Sequence, residues 1–481
     1  MTRAFVRLRN AVSRALEDRP DLLVWIVVGI ALIVRLAWVA FARRPAQVGD
    51  PASYVWYGDE LSHGRGYNSF PAAIDETLGT TSFGRIPPTA FYAIGYPLFL
   101  ALLFAPARAV GMNGTLENYA IVYGVVHALV GAATVYLVAR IARRVWDDRA
   151  AIVAAIIVAL WPNLIMLTAT AHLETLYLFL LAAAVLVLLP LVERDGPNDS
   201  NDRVGSMNTR RMLAGGALLG IAAEVRPLVA FIVPGVLLAF RYKPTTWRAA
   251  VRSTAIVTFT MLAFVAPWTI RNAIQMPGFV LVTTGSGDAF CMSRYEGATG
   301  RFEPNSPGCL NDVAGVPWDV KEVTKNRENT KRAITWAIHH PKSELRIAFW
   351  RGYYAFRDDH EATIALENTD LGQPVDRLWD DRGYELAATL ADLWYLAAVA
   401  LALIGIPTLV RRGRGPAVLI LGTIAAAVVV PFMLFGDPRY KVPMHPFVAV
   451  IAAVGVERLL RGPPSNRSAP RSRQVPDPAE A

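Results

Sequence analysis

With 481 residues, 54% of them hydrophobic and only 18% charged, the chain is far more apolar than a soluble globular protein, which carries about a quarter charged residues. Its net charge of +9 sits in short arginine clusters between apolar runs, a positive-inside pattern that argues against a nucleic-acid partner.

In chain order, the basic stretch Arg3–Arg19 precedes the apolar run Leu22–Phe41, long enough for a helix to cross the ~30 Å hydrocarbon core. Ala40-Phe41-Ala42 imitates a cleavage site, but the leader is long and Arg35 interrupts it, so it reads as a retained anchor with the N-terminus cytoplasmic. The loop 43–116 then lies outside. Its apolar stretch 90–107 contains Pro97 and Pro106. If it crossed, the next run, ending in Arg140, Arg143 and Arg144, would place those arginines on the wrong side, so 90–107 is expected to be re-entrant or interfacial.

Spans are expected at 117–139, 150–169 and 173–192. Two half-spans at 212–240 are broken at Arg226-Pro227, because proline lacks an N–H and disfavours helix at the residue before it. Further spans follow at 252–270, 388–410, 416–435 and 442–460. The expected fold is therefore an all-α polytopic membrane protein with about ten transmembrane helices. Juxtamembrane helices lie in the first outside loop, and a larger mixed extracytoplasmic segment covers 271–387. The membrane domain occupies 1–460. The tail 461–481, rich in Pro, Ser and Arg, is expected to be a disordered cytoplasmic extension.

The only two cysteines, Cys291 and Cys309, share the long outside loop. An oxidising compartment and a separation of 18 favour a disulfide. There is no Walker loop, GxGxxG, zinc-spaced His/Cys cluster or GxSxG elbow, so nucleotide substrates, structural zinc and serine hydrolysis lose support.

What remains is a set of ionisable residues at the outer ends of spans: Asp50 after the first, His172 and Glu174 opening the fourth, Arg226 at the mid-hairpin break, Arg271 ending the seventh, and Asp437, Arg439, Tyr440 and Lys441 between the last two. Charges in a bilayer are costly unless they face a wet cavity and one another. Arg35, Asp59 and Arg294 read instead as side chains that snorkel to the headgroups. Carboxylates beside cations at one membrane face suit group transfer from a lipid phosphate. The carboxylate takes the acceptor's proton and arginines neutralise the leaving phosphate.

The motifs along residues 20–460 resemble the GT-C superfamily of polyprenyl-phosphate-sugar-dependent glycosyltransferases, nearest to family 39. Asp50-Pro51-Ala52-Ser53-Tyr54 through Gly64-Arg65-Gly66-Tyr67 is similar to that family's Asp-Glu-x-x-Tyr and Gly-x-Gly-Tyr. Arg85-Ile86-Pro87-Pro88, Glu174, Arg226-Pro227, Pro267-Trp268 with Arg271-Asn272, and Arg439-Tyr440 follow in order. The resemblance implies Asp50 as catalytic base with Glu174 as second acid. It makes Arg85, Arg271 and Arg439 candidates for the lipid phosphate, alongside Tyr54, His172, Arg226, Tyr440 and Lys441 as substrate-binding residues. It also implies an inverting transfer from a polyprenyl-phosphate-sugar donor to an envelope glycan, lipid or protein acceptor outside the cytoplasm.

Pro51 stands where the family has Glu, which removes support for a carboxylate pair or a metal there, so no cofactor is expected. The alternative is a transporter or flippase that binds lipid-linked sugars without chemistry. Arg outnumbers Lys 42 to 6, which suggests a GC-rich bacterial source and a plasma-membrane location.

Overall fold

The computed structural model describes residues 19–42, 45, 49–68, 88–193, 202–242, 246–303, 306–310, 318–367 and 378–461. Arg85 and nearly all of the 461–481 tail lie outside the described residues. Among the described residues the structure is helical, with no strand and two isolated β-bridges. In chain order the helices are α1 Pro20–Ala42, α2 Gly49–Ser62, α3 Gly95–Ala109, α4 Leu116–Val145, α5 Asp148–Ala159, α6 Pro162–Met166, α7 Glu174–Leu188, α8 Asp202–Val225 and α9 Val233–Tyr242. They continue as α10 Trp247–Gln275, α11 Ser286–Cys291, α12 Trp318–His339, α13 Pro341–Phe356, α14 Glu361–Glu367, α15 Asp381–Arg412, α16 Arg414–Met433 and α17 His445–Arg461.

Among the described residues, seven helical segments are long and apolar enough to cross a membrane, or eight if one bent pair counts as a span. The expectation of about ten included two segments that fall short of that measure. The first, α8, opens on the polar run Asp202–Arg203, and the second, Pro227–Tyr242, is short. The 15-residue α3 spans about 22 Å at 1.5 Å per residue, too little for ~30 Å of hydrocarbon, and it packs along α2 instead.

Ion pairs show which helix ends lie together. Arg143 pairs with Asp21 and Asp148, which brings the start of α1, the end of α4 and the start of α5 to one end. Arg144, Glu193, Arg241, Arg412 and Arg414 line one recess there, adding the ends of α7, α9 and α15 and the start of α16. The pairs Asp50–Arg439 and Glu174–Arg226 gather the opposite ends. The chain thus runs back and forth as the basic clusters require.

The most enclosed span is the one containing α17, with 83% of its apolar window buried inside the protein. Small residues let it approach its neighbours: a Cβ on Gly405 of α15 would fall 2.1 Å from the Ile451 carbonyl oxygen of α17. Lipid tails are as apolar as leucine, so such close packing, rather than escape from water, holds the spans together.

The expected span 150–169 is not straight. Its two halves bend by 59° at Leu160–Trp161, ahead of Pro162, which cannot donate to the preceding turn. Arg35 serves that break. It is 1% exposed and donates to the carbonyls of Val158 and Ala159, each at 3.1 Å. The snorkelling reading of Arg35 is therefore replaced, because the broken helix end leaves carbonyls that need a donor. Arg294, also buried, pairs with Glu344 at 2.8 Å, and Asp59 pairs with Arg65 at 2.9 Å.

Candidate active site

Local sequence aims Asp50. Gly49 adopts φ +66°, a left-handed turn that glycine enters without steric cost. Asp50 then lies in the first turn of α2, where the helix dipole favours negative charge, and Pro51 is tolerated because first-turn N–H groups have no intrahelical acceptor. The Tyr92 hydroxyl donates to Asp50 Oδ1 at 2.6 Å and Arg439 Nη1 donates to Oδ2 at 3.1 Å. Burial alone would raise the Asp50 carboxyl. Arg439, the Tyr92 hydroxyl and His172 outweigh it and hold the group below the ordinary carboxylate value.

Arg439 is fixed by its own turn. Asp437 caps the 3-10 helix Pro438–Tyr440 by accepting from the Arg439 backbone N–H at 2.8 Å, and pairs with its guanidinium at 3.3 Å. Glu361, opening α14, lies 3.9 Å from the same guanidinium.

A second pair sits beside the first. Arg226, in extended backbone between α8 and Pro227, donates to Glu174 Oε1 at 3.2 Å, and its guanidinium lies 5.1 Å from the Tyr440 ring centroid. Tyr440 thus joins the two pairs, since its neighbour Arg439 holds Asp50. Glu174 Oε2 is buried and accepts no hydrogen bond among the described residues. Tyr54, on α2, packs edge-on against Tyr92 and Tyr96 at 5.0 and 5.2 Å. Burial first, then the charges of Asp50 and Glu174, push its hydroxyl well above the usual tyrosine range, so it remains a neutral donor.

The structure therefore brings together seven of the residues singled out from sequence: Asp50, Tyr54, His172, Glu174, Arg226, Arg439 and Tyr440. Two others go elsewhere. Lys441 is fully buried, donates to the Asp358 carbonyl and pairs with Asp359 at 3.4 Å. Arg271 donates to the carbonyls of Thr89 at 2.7 Å and Tyr67 at 2.8 Å, and stacks 4.6 Å from the Trp268 ring, so it clamps the first loop to α10.

Cys291 and Cys309 form a disulfide with Cα atoms 5.2 Å apart. It closes a loop that Ser293 and Arg294 anchor to the carbonyls of Leu434 and Met433, just ahead of Asp437 in the chain. Tyr92 and Glu361 were missed. The only sequence signal for Tyr92 was its place in the aromatic Phe91–Tyr96 stretch, and Glu361 stood in the ordinary-looking acidic run Asp358–Glu361.

The family model described as dolichyl-phosphate-mannose-protein mannosyltransferase matches residues 116–270, about a third of the chain. No curated protein sequence matches. The crystal structure of the Archaeoglobus fulgidus oligosaccharyltransferase in its apo form aligns with a TM-score of 0.52 at 15% identity, covering 92% of this chain and 51% of that one. The chain has the GT-C fold. The archaeal AglB in complex with an inhibitory peptide and a dolichol-phosphate gives 0.50 at 14% identity, over 91% of this chain and 51% of that one. The chain thus spans about half the length of these two solved structures. ArnT from Cupriavidus metallidurans, bound to undecaprenyl phosphate, aligns over 90% of this chain and 78% of its own at 14% identity, but with a TM-score of 0.41 that match is too loose to carry weight.

Proposed function

We propose that this multi-pass membrane protein is a glycosyltransferase. It moves a sugar from a polyprenyl-phosphate-linked donor to a hydroxyl or amine acceptor on the membrane face opposite the basic clusters. The observation that carries this reading is Asp50. It is an ionised carboxylate aimed by Tyr92 and Arg439, with its side chain still 33% exposed, beside a second acid–arginine pair.

Asp50 takes the acceptor's proton as the acceptor atom bonds to the anomeric carbon. The carbon–oxygen bond to phosphate breaks in the same displacement, which inverts the sugar carbon. The phosphate leaves with the electron pair, and Arg226 and Arg439 stabilise its charge. Glu174 positions Arg226, while Tyr54 and His172 complete the wall around the reacting groups. No group of three or more His, Cys, Asp or Glu side chains among the described residues is arranged to hold a metal ion. Both Asp50 oxygens are already engaged by Tyr92 and Arg439. No step of this proposal runs through a metal ion.

The arginine-rich, lysine-poor composition supports a bacterial source, and the basic clusters at the opposite helix ends support a site on the extracytoplasmic side of its plasma membrane. The test is mass spectrometry of envelope glycans, glycolipids and glycoproteins in a deletion strain complemented with wild type or Asp50→Asn. A sugar lost on deletion and restored by wild type but not by Asp50→Asn supports the reading. Full restoration by Asp50→Asn defeats it.

A further inference from the structure

A cavity of about 1260 Å³ opens between α2, α3, α7, α8 and α10. Much of its wall is apolar, with Leu102, Leu180 and Phe264 among its side chains, as a prenyl chain would require. Most of its charged groups are already occupied. Glu60 holds Arg65 at 2.7 Å, and Arg271 is tied to the carbonyls of Tyr67 and Thr89.

Glu224 is different. It lines the same cavity, is only 8% exposed, and neither of its carboxyl oxygens has a hydrogen-bond partner among the described residues. A carboxyl group stripped of water with nothing returned is costly, and in a membrane protein such a group marks a ligand path.

Its position says which part of a ligand it would meet. Two residues on, Arg226 turns to Glu174 and Tyr440 in the candidate active site. The turn Glu224–Arg226 therefore lies where the cavity meets the reacting groups, with one ionisable side chain facing each. The turn is also firmly backed: a Cβ on Gly95, at the start of α3, would fall 2.5 Å from the Glu224 carbonyl carbon.

We propose that Glu224 binds the hydroxyl groups of the sugar carried by the lipid-linked donor, as the donor lies in this cavity. This rests on the donor reading above. A neutral carboxyl group offers one O–H donor and one carbonyl acceptor, which match a vicinal diol whose hydroxyls both accept and donate. The arginines already present make a cationic head group the poorer fit.

The test measures lipid binding to full-length protein in nanodiscs by native mass spectrometry. The probes are decaprenyl phosphate and decaprenyl phosphates carrying mannose, glucose or arabinose. Glu224→Leu should weaken the best-bound sugar lipid by about tenfold or more, and leave sugar-free decaprenyl phosphate unchanged. Glu224→Gln, which keeps the shape and one acceptor, should fall between, and it decides the matter if the leucine variant fails to fold. Equal weakening of sugar-bearing and sugar-free lipids, or no weakening in either variant, overturns the proposal. Wild-type protein that binds none of the four lipids removes the donor reading itself, and Glu224's role with it.

Discussion

Two acid–base clusters hang from one short segment, Asp437–His445, and they are built for opposite ends. In the first, Arg439 meets Asp50, with 22% and 33% of their side chains exposed. In the second, Lys441 and His445 meet Asp359 at 3.4 and 3.2 Å, and all three side chains are 0% exposed. Asp359 also accepts from Trp161 Nε1 at 2.8 Å and from Asn163 Nδ2 at 3.2 Å, which ties the bend after α5 to the start of α17. Such a knot, closed to solvent on every side chain, leaves no opening for a substrate. The Asp50 cluster leaves one. Burial and charge pairing are common to the two, so openness to a reacting group is what distinguishes chemistry from structure here.

The sharpest way to break this comparison is to neutralise each acid in turn. Asp50→Asn keeps an acceptor for Tyr92 and leaves Arg439 its contacts with Asp437 and Glu361. Transfer should therefore fall by about 10²- to 10⁴-fold, the range for loss of a general base, while the melting temperature stays near wild type. Asp359→Ala should do the reverse. It strands a buried lysine, a change that costs about 3–5 kcal/mol, and it should appear as a large drop in thermal stability in detergent. An Asp359→Ala protein that melts like wild type would mean that the knot is not structural.

The same two clusters show what was legible in the sequence. Glu174 and Arg226 stood out because apolar sequence closely flanks each, and a charge there needs a reason. Asp50, Arg439 and Tyr440 followed from motif order. Tyr92 did not, because its role depends on a fold-back of 42 residues that no local pattern records. Lys441 was grouped with Arg439 on sequence proximity alone. A 3-10 turn advances about 120° per residue, so side chains two positions apart diverge, and Lys441 turns away from Asp50 into the knot. The bend at Trp161 was equally hidden: Pro162 signals a break, but the donor that caps it, Arg35, arrives from α1.

The disulfide offers a middle-sized effect. Cys291 and Cys309 brace a loop whose Ser293 and Arg294 hold the carbonyls of Leu434 and Met433, just ahead of Asp437 in the chain. Replacing both with serine should cost about 3 kcal/mol by loop closure. It should also reduce transfer more than it disturbs the spans, as measured by activity and by helical circular dichroism on the same sample. In the unreduced, denatured protein, a thiol alkylator should label neither cysteine; labelling of both would rule the bridge out.

The smallest and most discriminating effect is in acid. Asp50 and Asp359 are both held below the ordinary carboxylate value, in each case because neighbouring positive charge outweighs burial. A depressed folded-state pKa means that the ionised form favours the native protein. Its contribution is present above the unfolded value of about 3.9 and is lost as pH falls through the folded value. Transfer should therefore show no acid limb near neutrality and decline only below about pH 4, where Asp50 is at last protonated. Acid unfolding should depend on Asp359 instead. Asp50 contributes less because its pair with Arg439 is partly exposed and screened by solvent, so Asp50→Asn should shift the midpoint only a little, whereas Asp359→Asn should lower stability at neutral pH and flatten the acid transition. If the limb for transfer lay between pH 6 and 7, the base would have the titration of an imidazole. The proton would then pass to His172, which faces Asp50, and Asp50 would be left to orient it.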